Sequence, residues 1–236
     1  MIISFLKGIL VLLAAVPFSL MACFGIPFQK HGRIVHANGK AWSKFVLWTY
    51  GIKVHLRGAE HIQPGTTYVY VANHASMFDI PAVISFIPDQ IRLVVKKELT
   101  RIPLWGWAMK YGGYISIDRS NPIAAARSLE AAAEKIRDGT SVLLFAEGTR
   151  TRDGKLQPFK RGAFSLAAKA GVPVIPVVIN NSFRILPKGS LRVHKQDIEL
   201  VIGKPISTQD VEGKNKEIAL MEQVREIIAR DFVEQS

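Results

Sequence analysis

Short apolar runs bounded by glycine, proline and polar residues recur along the chain from residue 52 onward. Residues 52–57 alternate between apolar and polar side chains, which is typical of a strand with one face in water. Residues 67–72 are β-branched and aromatic, which predicts a buried strand. Similar runs predict further strands at residues 91–95, 114–117, 141–145 and 174–179.

Helical signals separate these strands. A helix is predicted from Pro122 to Arg137, because proline stands inside its start and Gly139 lies past its end. Further helices are predicted over residues 164–170 and 217–232. Alternating strands and helices indicate an α/β fold with a mixed, largely parallel sheet covered by helices.

The strand predicted at residues 174–179 follows Pro173 and contains Pro176. Proline cannot donate a hydrogen bond to a neighbouring strand. We therefore expect this segment at an edge of the sheet or at a strand start rather than at a central position.

The first 50 residues differ in composition from the rest of the chain. Residues 8–29 contain no charged side chain, and about 20 apolar residues suffice to cross a bilayer. A signal peptide is the competing interpretation, but the stretch is long for one and offers only a weak cleavage site. We expect a retained anchor, and Pro17 would suit a helix that bends or enters only one leaflet.

A second stretch, residues 41–50, is rich in aromatic side chains and follows a basic patch at residues 30–33. Trp and Tyr favour the membrane interface, so we expect a two-helix membrane anchor, with burial of the second helix in the core as the alternative. The predicted division is a membrane-associated segment over residues 1–50 and an α/β domain over residues 51–236.

The charge balance is strongly basic, with 31 Lys and Arg against 19 Asp and Glu and a net charge of +12. Such a chain attracts phosphate, whether in nucleic acid, at an anionic bilayer or on a small substrate. The sequence contains no zinc-ligand spacing, RNA-binding signature or long Lys/Arg tract, so we expect neither a metal nor a nucleic-acid partner. The single cysteine, Cys23, allows no internal disulfide, which fits a protein facing the cytosol.

The first candidate catalytic residues follow directly after the predicted strand 67–72. His74 lies where this strand ends and a helix begins, the usual place for ligands in open α/β sheets. On an ideal helix His74 and Asp79 would point roughly 140° apart, so they meet only if residues 74–78 form a turn. In contact, Asp79 would hold one imidazole nitrogen and leave the other as a base. The alternative is a strand-end histidine with Asp79 as a helix cap.

Cationic side chains follow three other predicted strands, which would place a phosphate site beside His74. Gly148 would let main-chain amides approach an anion closely. A further basic stretch would meet lipid headgroups or donor phosphates, or form a solvated face: Arg152, Lys155, Lys160 and Arg161. The candidates at the strand ends are Lys96, Lys97, Arg119 and Arg150.

The His74-x4-Asp79 pattern is followed in order by residues 113–119, 145–150 and 172–177. These four blocks resemble those of the glycerolipid acyltransferases, most closely the bacterial 1-acyl-sn-glycerol-3-phosphate acyltransferases, over roughly residues 50–205. The resemblance implies that family's fold, with His74 and Asp79 as catalytic residues. It also implies that the acceptor is bound by Lys96, Lys97, Arg119, Glu147, Gly148, Thr149 and Arg150.

The function implied by the resemblance is transfer of an acyl group from acyl-CoA or acyl-carrier protein to the sn-2 hydroxyl of lysophosphatidic acid. The product would be phosphatidic acid, made at the cell inner (cytoplasmic) membrane by a domain facing the cytoplasm, without a cofactor beyond the donor. Two alternatives stay open: another lysolipid or glycerol 3-phosphate as acceptor, or a membrane-bound thioesterase or esterase.

Overall fold

Seven strands form one sheet within the described residues, which in this computed structural model are 2–28, 32–118, 121–209 and 215–234. The order across the sheet is β1-β7-β6-β2-β5-β3-β4, in which β6 and β7 are antiparallel and every other pair is parallel. The predicted mixed, largely parallel sheet is therefore confirmed. In chain order the strands are β1 (Val54–Arg57), β2 (Val69–Ala72), β3 (Arg92–Lys96), β4 (Ile115–Ile117), β5 (Val142–Phe145), β6 (Val174–Asn180) and β7 (Ile198–Ile202).

Helices cover both faces of the sheet. They are α1 (Ile2–Gly25), α2 (Arg33–Tyr50), α3 (Asp79–Phe86), α4 (Trp105–Tyr111), α5 (Pro122–Arg137), α6 (Gly162–Ala170), α7 (Ser182–Ile185) and α8 (Lys216–Asp231). Short 3-10 turns cover Ile26–Phe28, Ala59–His61 and Lys97–Arg101. Apolar side chains of α2 and α3 pack on one face of the sheet, and those of α5, α6 and α8 pack on the other.

The bounds of α5 match the predicted helix because the residues at its start and past its end act as the sequence predicts. The Asn121 side chain accepts a hydrogen bond of 2.8 Å from the Ala124 amide at the helix start. Past the end, Gly139 adopts a φ of 94°, a conformation that glycine reaches without strain.

The prediction of an edge strand or strand start is wrong for Pro176, which lies inside β6 between β7 and β2. On the side of β6 that faces β7, regular pairing covers only Val177–Asn180. The next pairing on that side is the isolated bridge between Val174 and Ile206, so the ladder is interrupted at Pro176 and the missing amide proton is tolerated. Pro176 falls in this gap, where its carbonyl accepts a 2.8 Å hydrogen bond from the Gly203 amide. Strand β7 is not among the predicted strands, although its alternate residues are buried.

Helix α1 is long and apolar enough to cross a membrane, and no other helix of the described residues has that property. It continues as a helix through Pro17. Most of its large apolar side chains are exposed on the protein, and such a surface favours association with a membrane. The exposed set includes Ile2, Ile3, Phe5, Leu6, Leu10, Leu12, Leu13, Val16, Leu20, Met21 and Phe24.

Helix α2 divides its side chains between the core and the surface. Val46 and Leu47 belong to the core that α3 also lines, whereas Trp48 is 75% exposed. The membrane role of α2 and the boundary at residue 50 stay predictions. Of the preceding basic patch, Lys30 and His31 lie outside the described residues.

Candidate active site

The chain leaves β2 through a turn that the side chain of Asn73 stabilises. Its amide nitrogen donates to the Ile179 carbonyl at 2.9 Å, and its oxygen accepts from the Ile179 amide at 2.8 Å. The buried side chain thus replaces the main-chain pair that would have continued the ladder between β2 and β6. The main chain is thereby released to turn at His74.

The predicted turn brings His74 and Asp79 into contact. Asp79 Oδ2 accepts from His74 Nδ1 at 2.7 Å and from the amides of Ala75 and Ser76 at 2.7 and 2.9 Å. These contacts differ from a simple helix cap, because the carboxylate faces back into the turn rather than toward the amides of α3. Asp79 is fully buried, whereas the His74 side chain keeps 13% of its surface exposed.

This contact fixes the protonation pattern of the imidazole. A carboxylate can only accept, so Nδ1 of the neutral ring carries the proton and Nε2 has the free lone pair. Nε2 has no hydrogen-bond partner among the residues that the structure describes. The arrangement is that of a base oriented by a carboxylate.

The ring of Phe145 supports the imidazole from one side. The two rings stack with centroids 3.9 Å apart and planes 15° apart. Phe145 reaches His74 because β5 pairs with β2, with Ala72 opposite Phe145. Sequence reasoning misses this contact, since neither the order nor the register of the strands can be read from the apolar pattern.

Glu147 turns into the protein rather than toward solvent, with 3% of its surface exposed. Its two carboxylate oxygens accept from the amides of His74 at 2.7 Å and Gln157 at 3.0 Å. Burial raises the pKa of the Glu147 carboxyl to about 7, an effect that these two amides oppose and the nearby Asp79 reinforces. The binding role that the resemblance implies for Glu147 stays a prediction, because its oxygens here hold the main chain.

The loop after β5 is joined directly to the His74 turn. The Thr151 amide donates to the His74 carbonyl at 2.9 Å, so the loop of residues 148–150 ends against the His74 turn. Gly148 adopts a φ of 70°, which explains glycine there. Thr149 is exposed and Arg150 is half-buried.

The remaining candidates follow β3 and β4, at the same edge of the sheet but beyond β5. Lys97 forms an ion pair of 2.8 Å with Asp118, which joins the ends of these two strands. Lys96 ends β3, and its side chain lies outside the description, as does the whole of Arg119. The structure therefore joins His74, Asp79 and Glu147 by direct contacts, and Thr151 ties the loop of residues 148–150 to the same turn. The binding roles of Lys96, Lys97, Arg119 and residues 148–150 stay predictions.

Comparison with known proteins agrees with this geometry. A family model described as Acyltransferase matches residues 53–180, more than half of the chain. The 1-acyl-sn-glycerol-3-phosphate acyltransferase of Limnanthes douglasii is 34% identical over 203 residues, which cover 85% of this chain and 72% of that protein. The chain belongs to this acyltransferase family.

Other similar proteins carry the same description. The 1-acyl-sn-glycerol-3-phosphate acyltransferase of Pseudomonas aeruginosa is 33% identical over 183 residues, 75% of this acyltransferase and 69% of the relative. A chloroplastic one from Brassica napus is 35% identical over 78% of this chain, which spans about half (54%) of that relative's length. The crystal structure of the 1-acyl-sn-glycerophosphate (LPA) acyltransferase PlsC from Thermotoga maritima superposes with a TM-score of 0.81 at 25% identity, covering 96% of this chain and 94% of that one.

Proposed function

We propose that this acyltransferase transfers an acyl group from a thioester to the sn-2 hydroxyl of 1-acyl-sn-glycerol 3-phosphate (lysophosphatidic acid), giving phosphatidic acid. The observation that carries the proposal is the 2.7 Å contact between His74 and Asp79, which leaves Nε2 free at the edge of the sheet where the loop 148–150 also lies. The names of the similar proteins support the same acceptor.

In the proposed reaction, His74 Nε2 removes the proton of the acceptor hydroxyl as that oxygen attacks the thioester carbonyl. The carbon–sulfur bond then breaks, and the imidazolium returns the proton to the departing thiolate, so that the ester and a free thiol are the products. Asp79 holds Nδ1–H throughout and stabilises the imidazolium. General-base catalysis of this kind contributes roughly 10²–10⁴-fold.

The donor in this proposal is acyl-CoA or acyl-carrier protein, with no further cofactor. The site is at the cell inner (cytoplasmic) membrane, on the cytoplasmic side. Support comes from α1, whose apolar surface suits a bilayer, and from the single cysteine, which suits a reducing compartment. A lipid acceptor already resides in that membrane.

The test is a product assay with purified protein in detergent or vesicles. Lysophosphatidic acid and glycerol 3-phosphate are offered in turn, each with acyl-CoA and with acyl-carrier protein. We expect phosphatidic acid from lysophosphatidic acid and little product from glycerol 3-phosphate. Release of free fatty acid at the same rate with and without lysophosphatidic acid would instead show a hydrolase and contradict the proposal.

A further inference from the structure

Two lysines that the four sequence blocks do not include lie against the loop formed by Gly148, Thr149 and Arg150. Lys188 Nζ is 2.9 Å from Thr149 Oγ1 and 3.4 Å from the Arg150 carbonyl oxygen. The Lys160 side chain lies over Gly148, where an added Cβ would come within 3.2 Å of its Nζ. Two ammonium groups thus flank one short loop.

The main chain near each lysine is tied to the active site. The Lys160 amide donates to the Ala146 carbonyl at 2.8 Å, which holds Lys160 beside the end of β5. Lys188 follows α7, and in the same segment the Leu186 carbonyl accepts from Ser76 Oγ at 3.3 Å, inside the His74 turn. Both ammonium groups therefore lie at the edge of the sheet that carries His74.

Among the described residues, neither lysine is neutralised by an acid. No carboxylate forms an ion pair with Arg150, Lys160 or Lys188 in the described part of the chain. Asp153, the acid in the following turn, accepts instead from Thr151 Oγ1 at 2.8 Å and from Gln157 Nε2 at 3.1 Å. Arg150 belongs to the loop that the two ammonium groups flank. Cationic side chains gathered at one loop repel one another, and a bound anion offsets that repulsion.

We propose that Lys160 and Lys188, together with Arg150, bind a phosphate group of a substrate over the Gly148–Thr149 loop. The inference rests on the proposed function, because the reaction supplies the phosphate. Lysine acts as a point charge toward phosphate, and a charge-assisted contact of this kind is stronger than a neutral one. The phosphate monoester of the acceptor and the phosphates of the donor offer the same chemistry.

The test compares Lys160→Met and Lys188→Met with Lys204→Met as the matched control. Lys204 is exposed and follows β7, which runs antiparallel to β6 and so ends at the opposite edge of the sheet. Each of the first two changes should raise KM for the phosphate-bearing substrate about 10-fold, with kcat within about twofold. Lys204→Met removes the same charge and should leave both constants unchanged.

Two arms identify which phosphate is bound. In the first, lysophosphatidic acid is compared with 1-acylglycerol, which lacks the phosphate; an effect confined to lysophosphatidic acid assigns the acceptor. In the second, acyl-CoA is compared with the acyl thioester of N-acetylcysteamine; an effect confined to acyl-CoA assigns the donor. Lys160→Arg and Lys188→Arg should restore most of the lost affinity in either arm.

Three results would overturn the proposal. One is that Lys160→Met and Lys188→Met show the same KM as Lys204→Met for every substrate. Another is a kcat that falls in the lysine variants by the same factor with the substrates that lack phosphate as with those that carry it, which would show a purely structural role. The third is equal affinity for inorganic phosphate, measured by titration, in the wild-type protein and in the double variant Lys160→Gln/Lys188→Gln. If wild-type protein bound phosphate through the two lysines but did not acylate lysophosphatidic acid, the proposed function would fail and the phosphate site would stand.

Discussion

At the scale of single residues, the orientation of Glu147 has the clearest functional consequence. Its carboxylate holds the amides of His74 and Gln157, and so fixes the main chain on which the imidazole is mounted. A residue used in this way positions His74 without contacting the substrate. Its effect should therefore fall on the rate of the chemical step rather than on acceptor affinity.

Glu147→Gln tests this positioning role, because glutamine keeps one acceptor oxygen and would direct an NH2 group at one of the two amides. We expect kcat to fall roughly 10-fold or more, because the main chain that carries the imidazole would shift from its productive position, with KM for lysophosphatidic acid nearly unchanged. Steady-state kinetics measures both constants. A rise in KM at constant kcat would show that Glu147 binds the acceptor.

The same residue gives the protein a pH dependence of stability. The pKa of Glu147 is about 7 in the folded protein against an ordinary value of 4.5, so between these pH values the folded state binds more protons than the unfolded state. The contribution of Glu147 to the free energy of unfolding therefore decreases as pH rises from about 5 to 8. Urea unfolding at both pH values should show a smaller decrease for Glu147→Gln, and equal decreases would contradict the assignment.

Some of this site follows from sequence and some does not. The contact of His74 with Asp79 is predictable, because residues 67–72 mark a strand end and Pro81 marks the first turn of a helix. The stacking of Phe145 on His74 depends on the register of β5 against β2, which is a tertiary property. Likewise, the inward turn of Glu147 and the approach of Lys188 to Thr149 require segments far apart in sequence to meet.

At the scale of secondary-structure elements, Arg92 joins three of them. It lies on β3 with 1% of its surface exposed, and its guanidinium donates to main-chain carbonyls of Gly32 at 2.9 Å and Gly112 at 2.7 Å. These carbonyls lie at the start of α2 and the end of α4. The planar guanidinium reaches both at once, which an ammonium group cannot do.

Arg92→Ala should lower the free energy of unfolding by about 3 kcal/mol, because buried carbonyls lose charged donors. Arg57→Ala is a suitable control, since Arg57 is exposed and its ion pair with Glu199 should contribute less than about 1 kcal/mol. Chemical denaturation followed by circular dichroism measures both losses. Equal losses for the two variants would show that the buried contacts do not fasten α2 and α4 to the sheet.

Prediction at the scale of elements succeeds where local signals act alone. Helix α5 has an N-cap, a proline at its start and a glycine past its end, and the structure reproduces its bounds. The position of β6 could not be predicted, because the proline rule assumes a continuous ladder on both sides. The gap opposite Pro176 arises only from the way β7 and residue Ile206 pair with β6.

At the scale of the whole molecule, α1 contacts the α/β domain near both of its ends. Ser4 Oγ donates to the Val193 carbonyl at 3.3 Å, and Cys23 Sγ donates to the Leu104 carbonyl at 3.5 Å. The apolar side chains between these contacts stay largely exposed. Membrane binding should therefore depend on this exposed surface and not on the stability of the domain.

Leu13→Glu places a charge on the exposed surface of α1, where Leu13 is 66% exposed. A charge in the apolar part of a bilayer costs about 2.5–3.5 kcal/mol, so affinity for lipid vesicles should fall about 100-fold with unchanged thermal stability. Val233→Glu, at an exposed apolar residue near the C-terminus, should not change vesicle binding. Co-sedimentation with vesicles measures both, and equal retention of both variants would contradict a membrane role for α1.

The most direct test of the central claim is the turnover of His74→Ala, measured beside its binding of lysophosphatidic acid. If His74 is the general base of acyl transfer, kcat should fall roughly 10²–10⁴-fold while the dissociation constant for lysophosphatidic acid changes by less than about threefold. Near-normal turnover of the purified, folded variant would contradict the account, because a group other than His74 would then accept the proton of the acceptor hydroxyl.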